Sequence, residues 1–176
     1  MAKKPSKIAR GIMASITRKL KWVSEPFEAG GDTVLKKNVI YSTGKSGTRT
    51  KYYYTTDDMG RITSAHARPL KLPEKSPRAP HAQNTPGKLE GDHAGHLFGD
   101  RFGGSPELDN LVSQASSVNL SKFKKIENDW ARRLAAGEKF DVDITIHYGA
   151  DARPVSFTVK EILSDGTVKA HRPISN

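Results

Sequence analysis

The stretch Glu90-Gly91-Asp92-His93-Ala94-Gly95-His96-Leu97 decides how this chain is read, together with the segments downstream of it: Phe102-Gly103-Gly104, Asp109-Asn110-Leu111-Val112-Ser113-Gln114, Asn119 and Ile126-Glu127-Asn128-Asp129-Trp130. In order, these place Asp and His on a strand, then a glycine-rich loop, an Asn-bearing segment, and a helix that carries Glu. Side chains of metal-ligating and acid–base type therefore gather beside glycines, which let backbones approach closely.

Such a set suits metal-assisted hydrolysis of a phosphodiester. That reaction needs a base to activate water, a cation on the phosphate and stabilisation of the leaving oxygen. A neutral His titrates in the right range for the base. Asn and Glu offer hard oxygens, which suit Mg²⁺, a cation that keeps several waters and takes few protein ligands. His93 and His96 are spaced i, i+3, which on a strand points them to opposite faces and disfavours a two-His zinc site. Taken singly, His96 reads equally well as a structural His, Asn119 as a helix cap, Glu127 as a solvated helix residue and Gly103-Gly104 as a turn. Those readings leave the cluster itself unexplained.

Working outward, Phe123, Ile126, Trp130 and Leu134 have the spacing of a core-facing helix over about 121–136, stopped by Gly137. Beyond it, Val142-Ile144-Ile146 alternates with Asp141, Asp143 and Thr145 as a half-buried strand. Val155-Phe157-Val159 and Thr167 to Ala170 are further strands. On the N-terminal side, residues 25–72 read as β: Thr33-Val34-Leu35, Val39-Ile40-Tyr41, Thr50 to Thr56 with its three tyrosines, and Arg61-Ile62-Thr63. The tyrosines are placed to stack on bases or, more cheaply, to pack on a half-buried strand. Residues 73–91 form a loop, because Pro73, Pro77, Pro80 and Pro86 exclude a regular helix. A connection of that length is often functional. In residues 1–24, Ile8, Ile12, Ile16 and Leu20 recur at i+4, which predicts an amphipathic helix. Its apolar face packs on its own domain, or lies on a membrane, nucleic acid or a partner.

The chain has 176 residues, with 29 Lys and Arg against 19 Asp and Glu, a net charge of +10. Residues 1–91 hold 18 basic and 7 acidic residues, and the remainder is close to neutral. A positive surface draws nucleic acid, anionic lipid or an acidic protein. The absence of cysteine excludes a disulfide scaffold, a thiolate metal site and a cysteine nucleophile. No apolar run approaches the roughly 20 residues of a membrane span, and none has the form of a signal-peptide core.

Taken together, these motifs resemble the DNA/RNA non-specific endonucleases, a branch of the ββα-metal (His-Me finger) nucleases. They are most similar to the C-terminal nuclease domains of bacterial polymorphic toxins. The resemblance runs through Asp92-x-x-Gly95-His96-Leu97, Phe102-Gly103-Gly104, Asp109-Asn110-Leu111-Val112, Gln114, Asn119, Glu127-Asn128-x-Trp130 and Arg153-Pro154-x-Ser156-Phe157, covering about residues 50–160. The basic N-terminal helical arm over 1–24 lies outside the resemblance and is read from its own charge and stripe. The resemblance implies an α+β fold, a ββα-metal core on a twisted antiparallel sheet, in a nuclease domain over 25–176 whose catalytic core is about 88–136. It implies that His96 is the general base, Asn119 the direct Mg²⁺ ligand (with Mn²⁺ as a substitute), and Glu127 a group that holds water on the ion or touches it. Asn110 would support the site or the scissile phosphate, and Asp92 would support from behind. Many relatives carry Arg directly after the Asp, where His93-Ala94 intervene here. Many also carry Arg four residues after the Glu, where Ala131 stands. Arg101, Arg78 and Arg153 are therefore the candidates to clamp phosphate, with Arg101 nearest the loop, and Lys122 is a further nucleic-acid contact. The implied substrate is DNA, with RNA as an extension. The implied setting is a larger effector exported by a specialised secretion system, active in the target-cell cytoplasm and neutralised by a cognate immunity protein. Three other readings stay open: a non-catalytic nucleic-acid-binding module of the same fold, a sequence-specific or structural nuclease, and a membrane-active toxin working through 1–24.

Overall fold

The computed structural model describes residues 3–176. Its frame is an eight-stranded sheet built from β1 (Lys21–Trp22), β2 (Val39–Thr43), β3 (Tyr52–Thr56), β4 (Ile62–Ala67), β7 (Phe140–Tyr148), β8 (Pro154–Leu163) and β10 (Ile174–Ser175) in that spatial order, with β9 (Val168–Ala170) also on β8. Every pairing is antiparallel except β1 with β2, which is parallel. A separate two-stranded hairpin, β5 (Asp92–His96) and β6 (Leu111–Ala115), is followed by one π-helical turn (Val118–Lys122) and α2 (Phe123–Ala135). The expected ββα unit is thus present, and the molecule is α+β.

Strand alternation sorts the sheet into two faces. Tyr41, Tyr52, Tyr54, Val142, Ile144 and Phe157 point to one face and join the main core with Phe98, Phe102, Phe123 and Trp130 of the ββα unit. Ile40 and Tyr53 point to the other, where they pack on Ala9 and Ile12 of α1 (Lys7–Ala14) and on Leu20. The ββα unit and α1 therefore sit on opposite sides of the sheet. The rest of the α1 side is polar: Asp143 on β7 pairs with His66 at 2.6 Å and with Arg68 at 2.8 Å. This accounts for the alternation of Asp141, Asp143 and Thr145 with apolar residues.

The stretch from residue 3 to 24 differs from a continuous helix. Ser6 caps α1 by accepting from Ala9 N–H at 3.1 Å, but the helix ends at Ala14, and Lys21–Trp22 is an edge strand. Met1 and Ala2 lie outside the described residues. Of the apolar stripe, Ile12 and Leu20 are buried against the sheet and Ile16 is partly buried there, while Ile8 stays exposed. The strand expected at 33–35 reduces to a single bridge between Phe27 and Leu35. Among the described residues, no helix is long and apolar enough to cross a membrane.

The tyrosines do not face solvent. Tyr53 is buried against α1, and Tyr52 and Tyr54, with Tyr41, are fully buried on the other face, which removes base stacking as the role of all three tyrosines of 52–54. The hydroxyls of Tyr41, Tyr52 and Tyr54 hold the loop between β5 and β6. Tyr41 donates to Asp109 O at 2.6 Å, Tyr52 to Phe102 O at 2.5 Å, and Tyr54 to Asn110 Oδ1 at 2.7 Å. Asn110 is the hub. Its Oδ1 also accepts from Phe98 N–H at 3.0 Å, and its Nδ2 donates to Phe98 O at 2.8 Å and Ser105 O at 2.9 Å. The glycines of the loop fit the same closeness. A Cβ on Gly104 would lie 1.8 Å from Phe98 O, and Gly103 has φ +79°.

Asn110→Ala strands a tyrosine hydroxyl and three backbone groups in the core. Each buried orphan costs about 1–3 kcal/mol. Chemical denaturation should show a loss of roughly 3 kcal/mol or more, although the side chain is remote from solvent. An unchanged midpoint would remove Asn110 as the hub.

Candidate active site

The hairpin, the turn and α2 enclose a cavity of about 430 Å³ lined by Ala94, His96, Gly99, Asp100, Arg101, Asn119, Leu120, Lys124 and Glu127. Its remaining wall is Ser76, Arg78, Ala79 and His81, from the proline-punctuated strap of residues 73–91. His96 ends β5, Asn119 lies in the π turn, and Glu127 lies one turn into α2. The sequence-predicted base and both predicted oxygen ligands thus share one cavity. A π turn inside a helical run is often found at functional sites, and here it carries Asn119.

His96 is a neutral imidazole. Burial, and next the neighbouring His81, push its pKa down to about 4, against a pull upward from Asp100. Among the described residues its buried Nε2 has no hydrogen-bond partner, which leaves Nδ1 as the nitrogen that meets the cavity. Glu127 has no hydrogen-bond partner among the described residues. Burial raises its carboxyl pKa, and Arg101 and Lys124 pull it back down. Asn119 donates from Nδ2 to His93 Nδ1 at 3.0 Å, which turns its amide oxygen away from that contact. His93 therefore orients Asn119 and does not itself line the cavity. An unpartnered carboxylate and a free amide oxygen in one half-buried cavity are a fitting donor set for a hard divalent cation. Among the described residues, no three His, Asp or Glu side chains converge on one point. A cation that keeps most of its water does not need them to.

The other predicted residues divide. Arg101 lines the cavity, donates to Asn128 Oδ1 on α2, and lies over the Phe102 ring at 5.4 Å. Arg78 lines the cavity from the strap and is solvent-exposed. Arg153 does not reach it. Its guanidinium is held bidentately by Asp92 at 2.7 and 2.9 Å and donates to Asn176 O at 3.1 Å. Asp92 and Arg153 satisfy each other, and the Arg153 guanidinium holds the Asp92 carboxyl below the usual range. Their pair braces the start of β5 rather than the reacting centre. Asn110 is likewise a buried brace and not a cavity residue. Lys122 is exposed at the end of the π turn, whereas Lys124, two residues on, lines the cavity.

Reading the sequence alone missed His81, Lys124 and the latch that fixes the strap. Lys45, itself buried, pairs with Asp100 at 2.8 Å and donates to Ser76 Oγ and Pro77 O. Ser76 Oγ donates to Asp100 O at 2.5 Å. The signal for His81 was the long loop itself. Lys45 gave no signal, since its partner lies 55 positions away.

Comparison with known proteins agrees with this geometry. The chain is 34% identical over 136 residues to the type VII secretion system protein EssD of Staphylococcus aureus strains USA300 and NCTC 8325 / PS 47. That alignment covers 72% of this chain and 21% of the relative, so the chain spans about a fifth of those proteins. Among solved structures it is similar to NucA from Streptococcus agalactiae with magnesium ion bound, at TM-score 0.55 and 16% identity, over 76% of this chain and 75% of that one. The structure of NucA with no metal bound gives TM-score 0.51 and 15% identity, over 86% and 76%. These likenesses show a shared fold. The family model for DNA/RNA non-specific endonucleases matches residues 37–164, a span that takes in the whole cavity wall, and the chain belongs to that family.

Proposed function

We propose that this domain hydrolyses phosphodiester bonds of DNA, with RNA as a further substrate and little sequence preference, and that it is the nuclease unit of a secreted bacterial toxin. The observation that carries the reading is the neutral His96 facing the same cavity as the unpartnered Glu127 carboxylate and the Asn119 amide oxygen. His96 Nδ1 takes the proton of the attacking water. The arriving phosphate brings negative charge beside the imidazole, which favours its protonated form and strengthens the base when substrate is bound. Arg101, Arg78 and Lys124 receive the phosphate backbone, and contacts of that kind carry no sequence information. Asn119 and Glu127 would hold Mg²⁺, or Mn²⁺ in its place, which supplies positive charge to the phosphate and the leaving oxygen. The toxin role, with export in a longer chain and a cognate immunity protein, draws support from the relatives named as type VII secretion system proteins.

Supercoiled plasmid tests the reaction. The protein should give a smear with Mg²⁺ and intact plasmid with EDTA, and His96→Ala should lower the rate about a thousandfold while keeping the fold. Expression of the active chain, but not of His96→Ala, should arrest a bacterial host. Plasmid that is retarded on the gel but uncut would instead make the domain a nucleic-acid-binding module.

Asn119→Ala should raise the Mg²⁺ concentration needed for half-maximal rate, and Glu127→Gln should do the same. A Mg²⁺ dependence identical to wild type in both would sink their role as ligands.

The pH profile is set by His96. A base with a lowered pKa is active when deprotonated, so kcat/KM should be flat across neutral pH and fall on acidification through about 4. The corresponding limb in kcat, which reports the substrate complex, should lie at higher pH. A kcat/KM limb near the ordinary His value of about 6.5 would contradict the burial of this imidazole.

A further inference from the structure

The strap supplies a second imidazole to the cavity. The rings of His81 and His96 lie 4.8 Å apart between centroids and are tilted by 58°. His81 is half-buried, and its backbone carbonyl accepts from Gln83 Nε2 at 3.0 Å. Among the described residues neither of its ring nitrogens has a hydrogen-bond partner, and neither is a buried orphan. Its polar edge is therefore open to whatever fills the cavity.

The ring is also held in place. Before it, Ser76 and Pro77 are tied to Lys45 and Asp100. Beside it, Ala82 N–H donates to Pro106 O at 2.9 Å. After it, Thr85 and Pro86 O are hydrogen-bonded to Ser113 Oγ, both at 2.7 Å. A proline-punctuated segment pinned at three points presents His81 with little ordering left to lose on binding.

An imidazole is a costly neighbour for a base that must accept a proton, because two imidazolium charges repel. Packing alone would be served by an apolar ring. An oxyanion at the polar edges of the two rings removes the conflict, since it accepts from the His81 N–H and favours the protonated form of His96.

We propose that His81 is a substrate-contacting residue whose ring N–H hydrogen-bonds a non-bridging oxygen of the phosphodiester held against His96. The inference rests on the proposed nuclease activity and deepens it.

Three variants separate contact from packing. His81→Phe keeps a ring against His96 and removes the N–H, His81→Gln keeps a donor, and His81→Ala removes both. On a short DNA duplex with Mg²⁺, His81→Phe and His81→Ala should lose about ten- to hundredfold in kcat/KM, with His81→Gln retaining most of the activity. Thermal unfolding should match wild type in all three. The decisive readout is a duplex with a single phosphorothioate at a mapped cleavage position, in each stereochemical form. The loss caused by His81→Phe should shrink on one of the two forms, because sulfur there has already weakened the same contact. An equal loss on the normal linkage and both phosphorothioate forms, or a His81→Phe protein as active as wild type, overturns the inference while leaving the nuclease reading intact. A wild-type protein that cuts none of these substrates overturns that reading and the inference with it.

Discussion

The buried amide of Asn110 is the interaction on which the rest of the molecule depends. A ββα unit is too small to be rigid by itself, because a two-stranded hairpin is marginal in water. Here the loop that joins its strands is anchored to the main sheet through Asn110 and three tyrosine hydroxyls. Each of these bonds is buried, where an unmade partner is expensive, so the loop has one placement. That placement sets the end of β5, and with it His96. The apolar side of the same arrangement, Phe98 and Phe102 against Tyr52 and Trp130, seats the hairpin and α2 on one face of the sheet.

Burial then shapes the chemistry. The same packing that fixes His96 buries most of its ring and lowers its pKa, while the rest of the ring lines the cavity. It also leaves Glu127 without a hydrogen-bond partner among the described residues, beside Gly99, where a Cβ would lie 3.0 Å from its carboxylate. Charged residues that meet a partner are taken out of play: Arg153 is committed to Asp92, and Lys45 to Asp100. Arg78, Arg101 and Lys124 line the cavity and have no acidic partner among the described residues. The positive charge of the N-terminal stretch contributes little there, because α1 lies across the sheet from the cavity.

The ββα unit was legible because its order is local. Strand, glycine turn, Asn and helix succeed one another within about forty residues, and their periodicities and residue types point to one chemistry. The strands Val142 to Ile146 and Val155 to Val159 were legible by their alternation, and the structure pairs them. The tyrosines were ambiguous, since alternation reports that a side chain is buried but not what its hydroxyl meets. The helix of residues 7–14 was visible as a stripe, but not the surface that covers it.

What the sequence by itself determined was therefore the class of fold and the family, and it singled out His96, Asn119 and Glu127, which line one cavity. Only the tertiary structure decided that Arg153 and Asn110 are braces, that Lys124 replaces Lys122 at the cavity, and that His81 stands beside His96. Each of these depends on a contact between segments distant in the chain, such as Lys45 with Asp100 or Asp92 with Arg153. A side chain's partner at that separation is chosen by packing, and no spacing along the sequence encodes it.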